Sequence, residues 1–308
     1  MGLIGLALAA EVEVCGRFGA TEDPVAVTDG DVGAIQSSGL AAARTQADIY
    51  YTHNDAGGEP AIYLFTAQGE WLGAQTITGA TNTDWEDVSP GPCPAGVDAE
   101  SCLWIADIGD NEEVRPYVSV WVVAESVQAS APAIECRLVY PDGEPEDAEA
   151  LWVDPDGVIR IATKHSDHSR IYRLKYPVCD GTEEELAEEA EIEVEEPVTG
   201  ATMDEAGTSV VLRGLTRAWM WSGCSFTWSD TPLEIDLGTQ PQGEAVAFAA
   251  DGALVTTSEV LAEEDLRYWR TPCAETTTVP CKSCGCGDGS AAWLLVLGAW
   301  GRRRSTRR

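Results

Sequence analysis

The stretch DAEALWVDPDGVIRIATKHSDHSRIYRLKYP, residues 147–177, holds three short apolar runs separated by turn chemistry. Each run is five to eight residues long and rich in Val, Ile, Tyr and Trp, which fits a pleated, half-buried surface better than a helix. The DPDG between the first two runs supplies Asp, Pro and Gly, the residues a tight turn demands. The segment therefore reads as three successive antiparallel strands.

The same unit recurs along the chain, and a period of about 40 to 60 residues is the signature of a repeat architecture. First strands lie in QSSGLAAAR from Gln36, DWEDVSPGP from Asp84, DAEALWVDP from Asp147, TGATMDEAG from Thr199 and QGEAVAFAA from Gln242. Second strands begin at Asp48, Cys102, Val158, Ser209 and Ala253. Third strands are AIYLFTAQG, YVSVWVVAE, RIYRLKYP, AWMWSGC and LRYWRTP. Fourth strands read as LGAQTITG, IECRLVYP, EIEVEEP and PLEIDLG, and the fifth unit lacks one. A spare N-terminal strand, EVEVCGRFG, could complete it and remove the open sheet edge. The fold expected is all-β: a single β-propeller of five four-stranded blades, with six the other possible count, closed by an N-terminal strand. The run TEEELAEEAEIEVEE from Thr182 reads as an acidic solvated loop leading into a strand.

Composition narrows the role. Fifty-two Asp and Glu face 19 Lys and Arg, for a net charge of -33. Nucleic-acid binding is disfavoured, because phosphate recognition needs a cationic surface. Disorder is disfavoured too, since 44% apolar residues and 11 Trp give material for a core. Ten cysteines, most of them scattered without metal-ligand spacing, indicate an oxidising compartment. Cys93 and Cys102 bracket GPCPAGVDAESC and are expected to pair.

The ends differ from the body. Residues 1–10, MGLIGLALAA, have the apolar run and small residues of a secretory signal without its basic start. The expected propeller spans 11–273, and 274–308 form a linker and terminal signal. In that signal a Cys cluster, CKSCGCG, precedes an apolar stretch from Ala291 to Trp300 and five arginines in the last seven residues. Ten apolar residues are short of the roughly 20 a spanning helix needs. A zinc site at CxxCxC is the competing reading, weakened by the absence of a nearby His.

Residues 281–308 resemble the myxobacterial C-terminal surface-sorting domain. The resemblance implies export, removal of the tail by a membrane sorting protease and anchorage at Cys284 or Cys286, with membrane contact through the tail only. The segments THNDAGGEPAIYLF, DWEDVSPGPC, LWIADIGDNEEVRPYVSVWVV, EDAEALWVDPDG, ATKHSDHSRIY and PQGEAVAF resemble those of secreted bacterial β-propeller-like proteins of mostly uncharacterised function, over residues 36–270. That resemblance implies the fold and export, and no reaction.

Propeller geometry places the start of each first strand beside the end of the second, on one face near the axis. Glu86, Glu149 and Glu244 then occupy equivalent inner positions, with Ser38 and Gly200 in the other blades. Asn54, Asp55, Asp110, Asn111, Lys164, His165, Arg213, Arg217 and Glu259 come to the same funnel mouth. Clustered carboxylates need a cation, shared protons or basic partners. A Ca²⁺ site built on Glu86, Glu149, Glu244, Asp55 and Asp110 suits hard oxygen ligands; ion-pair closure with Lys164 and Arg213 is the structural alternative, and a set of acid–base carboxylates the third. Asp110, Asn111 and the His53–Asp55 stretch could equally be turn formers. Signatures of serine hydrolases, P-loops, zincins and dinucleotide sites are absent. Two functions remain: a surface-displayed binding or scaffold propeller for an extracellular ligand or protein, and a secreted metal-dependent hydrolase of the phytase or lactonase kind.

Overall fold

The computed structural model describes residues 11–28, 36–259 and 266–281. Its strands form five blades of four. Blade I contains Ser37–Ala42, Ile49–Asn54, Ala61–Thr66 and Trp71–Thr78; blade II contains Trp85–Gly91, Cys102–Asp107, Val118–Ala124 and Ser130–Val139. Blade III contains Ala148–Val153, Val158–Thr163, His168–Lys175 and Ala187–Glu193; blade IV contains Gly200–Met203, Ser209–Arg213, Arg217–Ser222 and Leu233–Asp236. Blade V takes Gly243–Phe248, Leu254–Ser258 and Arg267–Thr271, and its outermost strand is Val25–Ala26 from the other end of the chain. Innermost strands of neighbouring blades pack side by side all round the ring, from I to II and onward through V back to I. The count is five.

Five apolar clusters fill the spaces between successive blades. Trp85, Trp104 and Trp152 are fully buried there. Each such indole takes a large apolar area from water, so the sheets are held face to face by the aromatics of their strands. The recurring inner turn has the same construction in three blades: Gly157, Gly207 and Gly252 all sit at positive φ, and each donates its N–H to the carbonyl three residues back. Only Gly takes that conformation at no steric cost.

Closure by an N-terminal strand uses Val25–Ala26, not the EVEVCGRFG expected. That segment, Glu11–Phe18, pairs antiparallel with Cys273–Pro280 in a separate two-stranded ribbon. Val14 is its only buried side chain among the described residues, so it lacks the two apolar faces a blade strand needs, whereas Val27, beside the closing strand, is fully buried in the V–I core. The acidic run from Thr182 is also more ordered than expected. Glu183–Glu185 adds parallel to Arg137–Val139, and Ala187–Glu193 is the fourth strand of blade III. Leu186 and Ile192 anchor it in the cores while the glutamates remain largely in solvent.

Four disulfides join Cys15 to Cys273, Cys93 to Cys102, Cys136 to Cys179 and Cys224 to Cys281. The expected Cys93–Cys102 pair is present. Cys281 takes up the body cysteine that had no partner by count. Four bridges mark a protein of an oxidising, extracytoplasmic compartment. No helix among the described residues is long and apolar enough to cross a membrane. Residues 1–10, read from sequence as a secretory-signal-like run, and Cys284, Cys286 and the apolar and arginine-rich tail lie outside the described residues.

Candidate functional site

The axial starts of the innermost strands carry a shared irregularity. Pairing slips between Ser37 and Leu40, Trp85 and Asp87, Ala148 and Ala150, and Gly243 and Ala245. Glu86, Glu149 and Glu244 are the inserted residues of three of these slips. A β-bulge adds one residue and re-aims its side chain, which brings these carboxylates to the same level of the mouth. All three are buried, at 4%, 4% and 6% exposure. Blade IV, with Gly200 at this position, has no slip.

Around Glu86 the loops build an acidic pocket. One carboxylate oxygen from each of Asp55, Asp84 and Glu86 lies within 4.8 Å of the others. Asp107 fixes the Asp84 loop by accepting the N–H groups of Thr83 and Asp84 at 3.3 and 3.1 Å, while Arg115 closes on it at 3.0 Å. Asn82 donates to the Asp55 carbonyl at 2.8 Å, which sets the two loops together. Gly109 lets the carboxylates approach its backbone: a Cβ there would stand 2.1 Å from Glu86 Oε1.

Burial, and then the neighbouring Asp55, push the Asp84 carboxyl up to about 6. Glu86 is raised well above the usual range by burial and by Glu149, Asp55 and Asp84. The next group round the ring, Glu149, is pushed to about 8 by burial, against the pull of its ion pair with Lys164. For Lys164 the desolvation that would lower it is outweighed by Glu149, so it stays charged. Glu149 Oε2 is buried with no hydrogen-bond partner. Glu259, bonded by Gln242, is raised to about 7 by burial and by Glu244 and Asp55. Glu244 is likewise raised by burial, with Lys164 and Arg213 opposing.

Of the five carboxylates expected to form one metal set, the structure clusters Asp55 and Glu86, together with Asp84. Glu149 is the ion-pair partner of Lys164, with Glu244 close enough to feel the same charge. Asp110 is engaged elsewhere: its N–H donates to Asp147 Oδ1 at 2.9 Å and its Oδ2 accepts from the Arg115 N–H at 2.6 Å. It shapes the loop, as the turn reading allowed. Asn54 accepts from the Gln36 N–H at 3.0 Å and donates to Tyr63. Asn111 is exposed in a turn. His165 faces Glu146 at 3.2 Å and stacks on His168.

The two arginines do not line the mouth. Arg213 is fully buried and donates to the carbonyls of Ala245 and Thr257 at 2.8 and 2.9 Å and to Gln240 Oε1 at 2.9 Å. It joins blade IV to blade V, and burial lowers it to about 10. Arg217 pairs with Glu195 and Glu196 on the surface. Both end or follow a second strand, a position that brings the backbone to the mouth without specifying which way a long side chain turns.

Two acidic residues central to the arrangement were not singled out from sequence. Asp84 stands beside Trp85 and Glu86 in DWED and could not be told from a turn former. Asp87 is fully buried at the axis; its Oδ2 accepts the N–H groups of Leu151 in blade III and Ala201 in blade IV at 2.9 and 3.0 Å, and Oδ1 that of Val88 at 2.8 Å. An innermost strand has an unpaired edge facing the axis, and buried donors there need acceptors. Burial pushes this carboxyl up well above its usual range, and the three amides pull against that. His53, also fully buried, meets Trp85 edge to face and is lowered by burial, so it is a neutral imidazole.

No family model matches the chain, and no curated protein does. Solved structures that share its course include a luciferin-regenerating enzyme, 11% identical, with a TM-score of 0.45 over 81% of this chain and 95% of that one. A gluconolactonase from Xanthomonas campestris is 13% identical, with a TM-score of 0.43 over 85% of this chain and 99% of that one. At such identities the likeness is one of chain course alone. The chemistry of the mouth is read from its own residues.

Proposed function

We propose that this chain is an exported binding propeller whose funnel mouth takes up a divalent cation, with calcium the best match, and through it an oxygen-rich extracellular ligand. The observation that supports this reading is the convergence of Asp55, Asp84 and Glu86 oxygens within 4.8 Å, with Glu86 buried and the two aspartates half-buried. Three carboxylates supply fewer than the six to eight oxygens that Ca²⁺ takes, so positions remain for a ligand or water. The donors are hard oxygens; among the described residues no His or Cys joins them, which disfavours softer metals. Lys164 neutralises Glu149 and leaves the cation role to the Asp84 side of the ring.

The same reading carries the export route implied by the tail: cleavage by a sorting protease and anchorage through Cys284 or Cys286 at the cell surface. Mass spectrometry of the mature protein from its producing cells tests that part by showing whether the arginine cluster is missing and a cysteine modified.

Calorimetric titration of the full chain with calcium chloride tests the mouth. Saturable binding that Glu86→Gln weakens by more than tenfold is the expected result; no heat and no rise in melting temperature would remove the cation reading.

A metal-assisted hydrolase is the second reading, favoured by Glu259. A carboxyl titrating near 7 beside Asp55 is placed to accept a proton from a cation-bound water. A lactone is the better substrate class than a phosphate ester, since the body is strongly anionic. Calcium-dependent lactone opening lost in Glu259→Gln supports it, and turnover unchanged by that substitution excludes it.

A further inference from the structure

A second concave site opens between blades III and IV on the opposite face from the acidic mouth. Asp154 follows the last residue of the strand that begins beside Glu149, and that strand's length, about 3.3 Å per residue, separates the two faces. The groove offers about 600 Å³, within the usual range for a small-molecule pocket. Its walls are the Asp154 turn, the outer strand of blade III and the connection from Gly223 to Ser229 in blade IV.

An aromatic group forms one wall. Trp228 is part-exposed and packs edge to face against Trp152, Trp221 and Phe226, with ring centroids 5.8, 5.1 and 5.5 Å away. Its loop is held in place: Cys224 is tied to Cys281, the Thr227 N–H donates to Asp230 Oδ2 at 2.7 Å, and Trp221 Nε1 donates to the Asp230 carbonyl at 3.0 Å. Such preorganisation lowers the entropic cost of binding.

The polar wall has a particular charge state. Arg160 pairs with both Asp154 and Glu189, and Arg170 pairs with Glu191 at 3.3 Å. Arg170 also pairs with Glu146 at 2.7 Å, so each acid has a cation beside it while the wall keeps a net negative charge that repels an anionic ligand. Hydrogen-bonding capacity nevertheless remains: Asp154 Oδ1 and Ser225 Oγ are buried and have no partner. A buried acceptor without a donor is costly and calls for one from a ligand.

We infer that this groove is a carbohydrate subsite that takes a neutral pyranose ring, with an apolar sugar face on Trp228 and Phe226 and hydroxyl groups donating to Asp154 Oδ1 and exchanging hydrogen bonds with Ser225. A sugar ring combines the two features the walls require, a C–H face for the indole and donors for an acceptor that no side chain satisfies. The site is independent of any cation at the mouth, and a surface propeller holding it could engage extracellular polysaccharide while the mouth serves its own ligand.

The test uses the full chain and saturation-transfer NMR against the methyl pyranosides of glucose, galactose, mannose and N-acetylglucosamine, with choline as the cationic control. At least one pyranoside should receive transfer and choline none. Trp228→Ala should abolish the signal, and Asp154→Asn should weaken binding by about tenfold, both with calcium titration unchanged. Should Trp228→Ala fail to fold, Asp154→Asn together with Ser225→Ala decides the matter. Absence of transfer to every pyranoside, binding of choline instead, or binding that persists in the Asp154→Asn and Ser225→Ala variants overturns the assignment, whatever the mouth binds.

Discussion

Replacing Asp87 is the most direct probe of how the ring holds its site. Its carboxylate is the acceptor for three amides, two of them on other blades, at 2.8 to 3.0 Å. Asp87→Ala removes that acceptor and leaves the donors in a fully buried setting. Each unpaired buried donor costs about 1–3 kcal/mol, and no longer burying a carboxyl offsets part of the total, so a loss of about 3–6 kcal/mol follows. For a chain of this size that is a fall in melting temperature of about 10 °C. Asp87→Asn is the informative partner. Its side-chain oxygen can still accept from Leu151 and Ala201, while its NH₂ meets the Val88 N–H, so one bond is lost, at about 1–2 kcal/mol. Urea denaturation followed by tryptophan fluorescence gives both values. Equal destabilisation by Ala and Asn would show that charge, not acceptor count, is what matters at the axis. A loss below about 1 kcal/mol in Asp87→Ala would refute the edge-satisfying role altogether.

Two further outcomes follow from the same geometry. Asp84, Glu86, Glu149 and Glu259 all have folded-state values raised above their ordinary ones, so the stability they contribute is complete below about pH 4 and is lost as pH rises through about 6 to 8. Melting temperature without divalent cations should therefore fall across that window, calcium should flatten the fall, and Glu86→Gln should make it shallower; a melting temperature that rises steadily from pH 5 to pH 8 without cations contradicts the assignment. Among the disulfides, Cys15–Cys273 closes the longest loop, 258 residues, against 9 for Cys93–Cys102. In the chain-entropy account its removal costs up to about 5 kcal/mol and the short one about 2–3; differential scanning calorimetry of the two double Cys→Ala variants checks the order.

The blade pattern was readable because strand period and turn chemistry are local. Residues 147–177 contain their own alternation, their DPDG turn and their flanking apolar runs, and four more copies repeat the design. The equivalence of Glu86, Glu149 and Glu244 was readable for the same reason, since aligned repeats place aligned residues at equivalent positions. The closing strand was not, because Val25–Ala26 is two residues long and carries no period, while Glu11–Phe18 looks more like a strand and pairs elsewhere. Arg213 and Arg217 both lie at a second strand's end or just beyond it, and sequence cannot say that one turns inward to carbonyls of blade V while the other meets the glutamates of the surface.

The sequence by itself determined an acidic, cysteine-rich β repeat with carboxylates at recurring positions near an axis, and the closed ring fixed the count at five blades. Only the tertiary structure decided what those carboxylates do. Asp84 joins Asp55 and Glu86, Glu149 takes Lys164, and Asp87 serves the amides of two other blades, across 64 and 114 residues of chain. The physical reason is that strand and turn preferences act over a few residues, whereas the partner of a buried charge is whatever the closed ring brings within hydrogen-bonding distance.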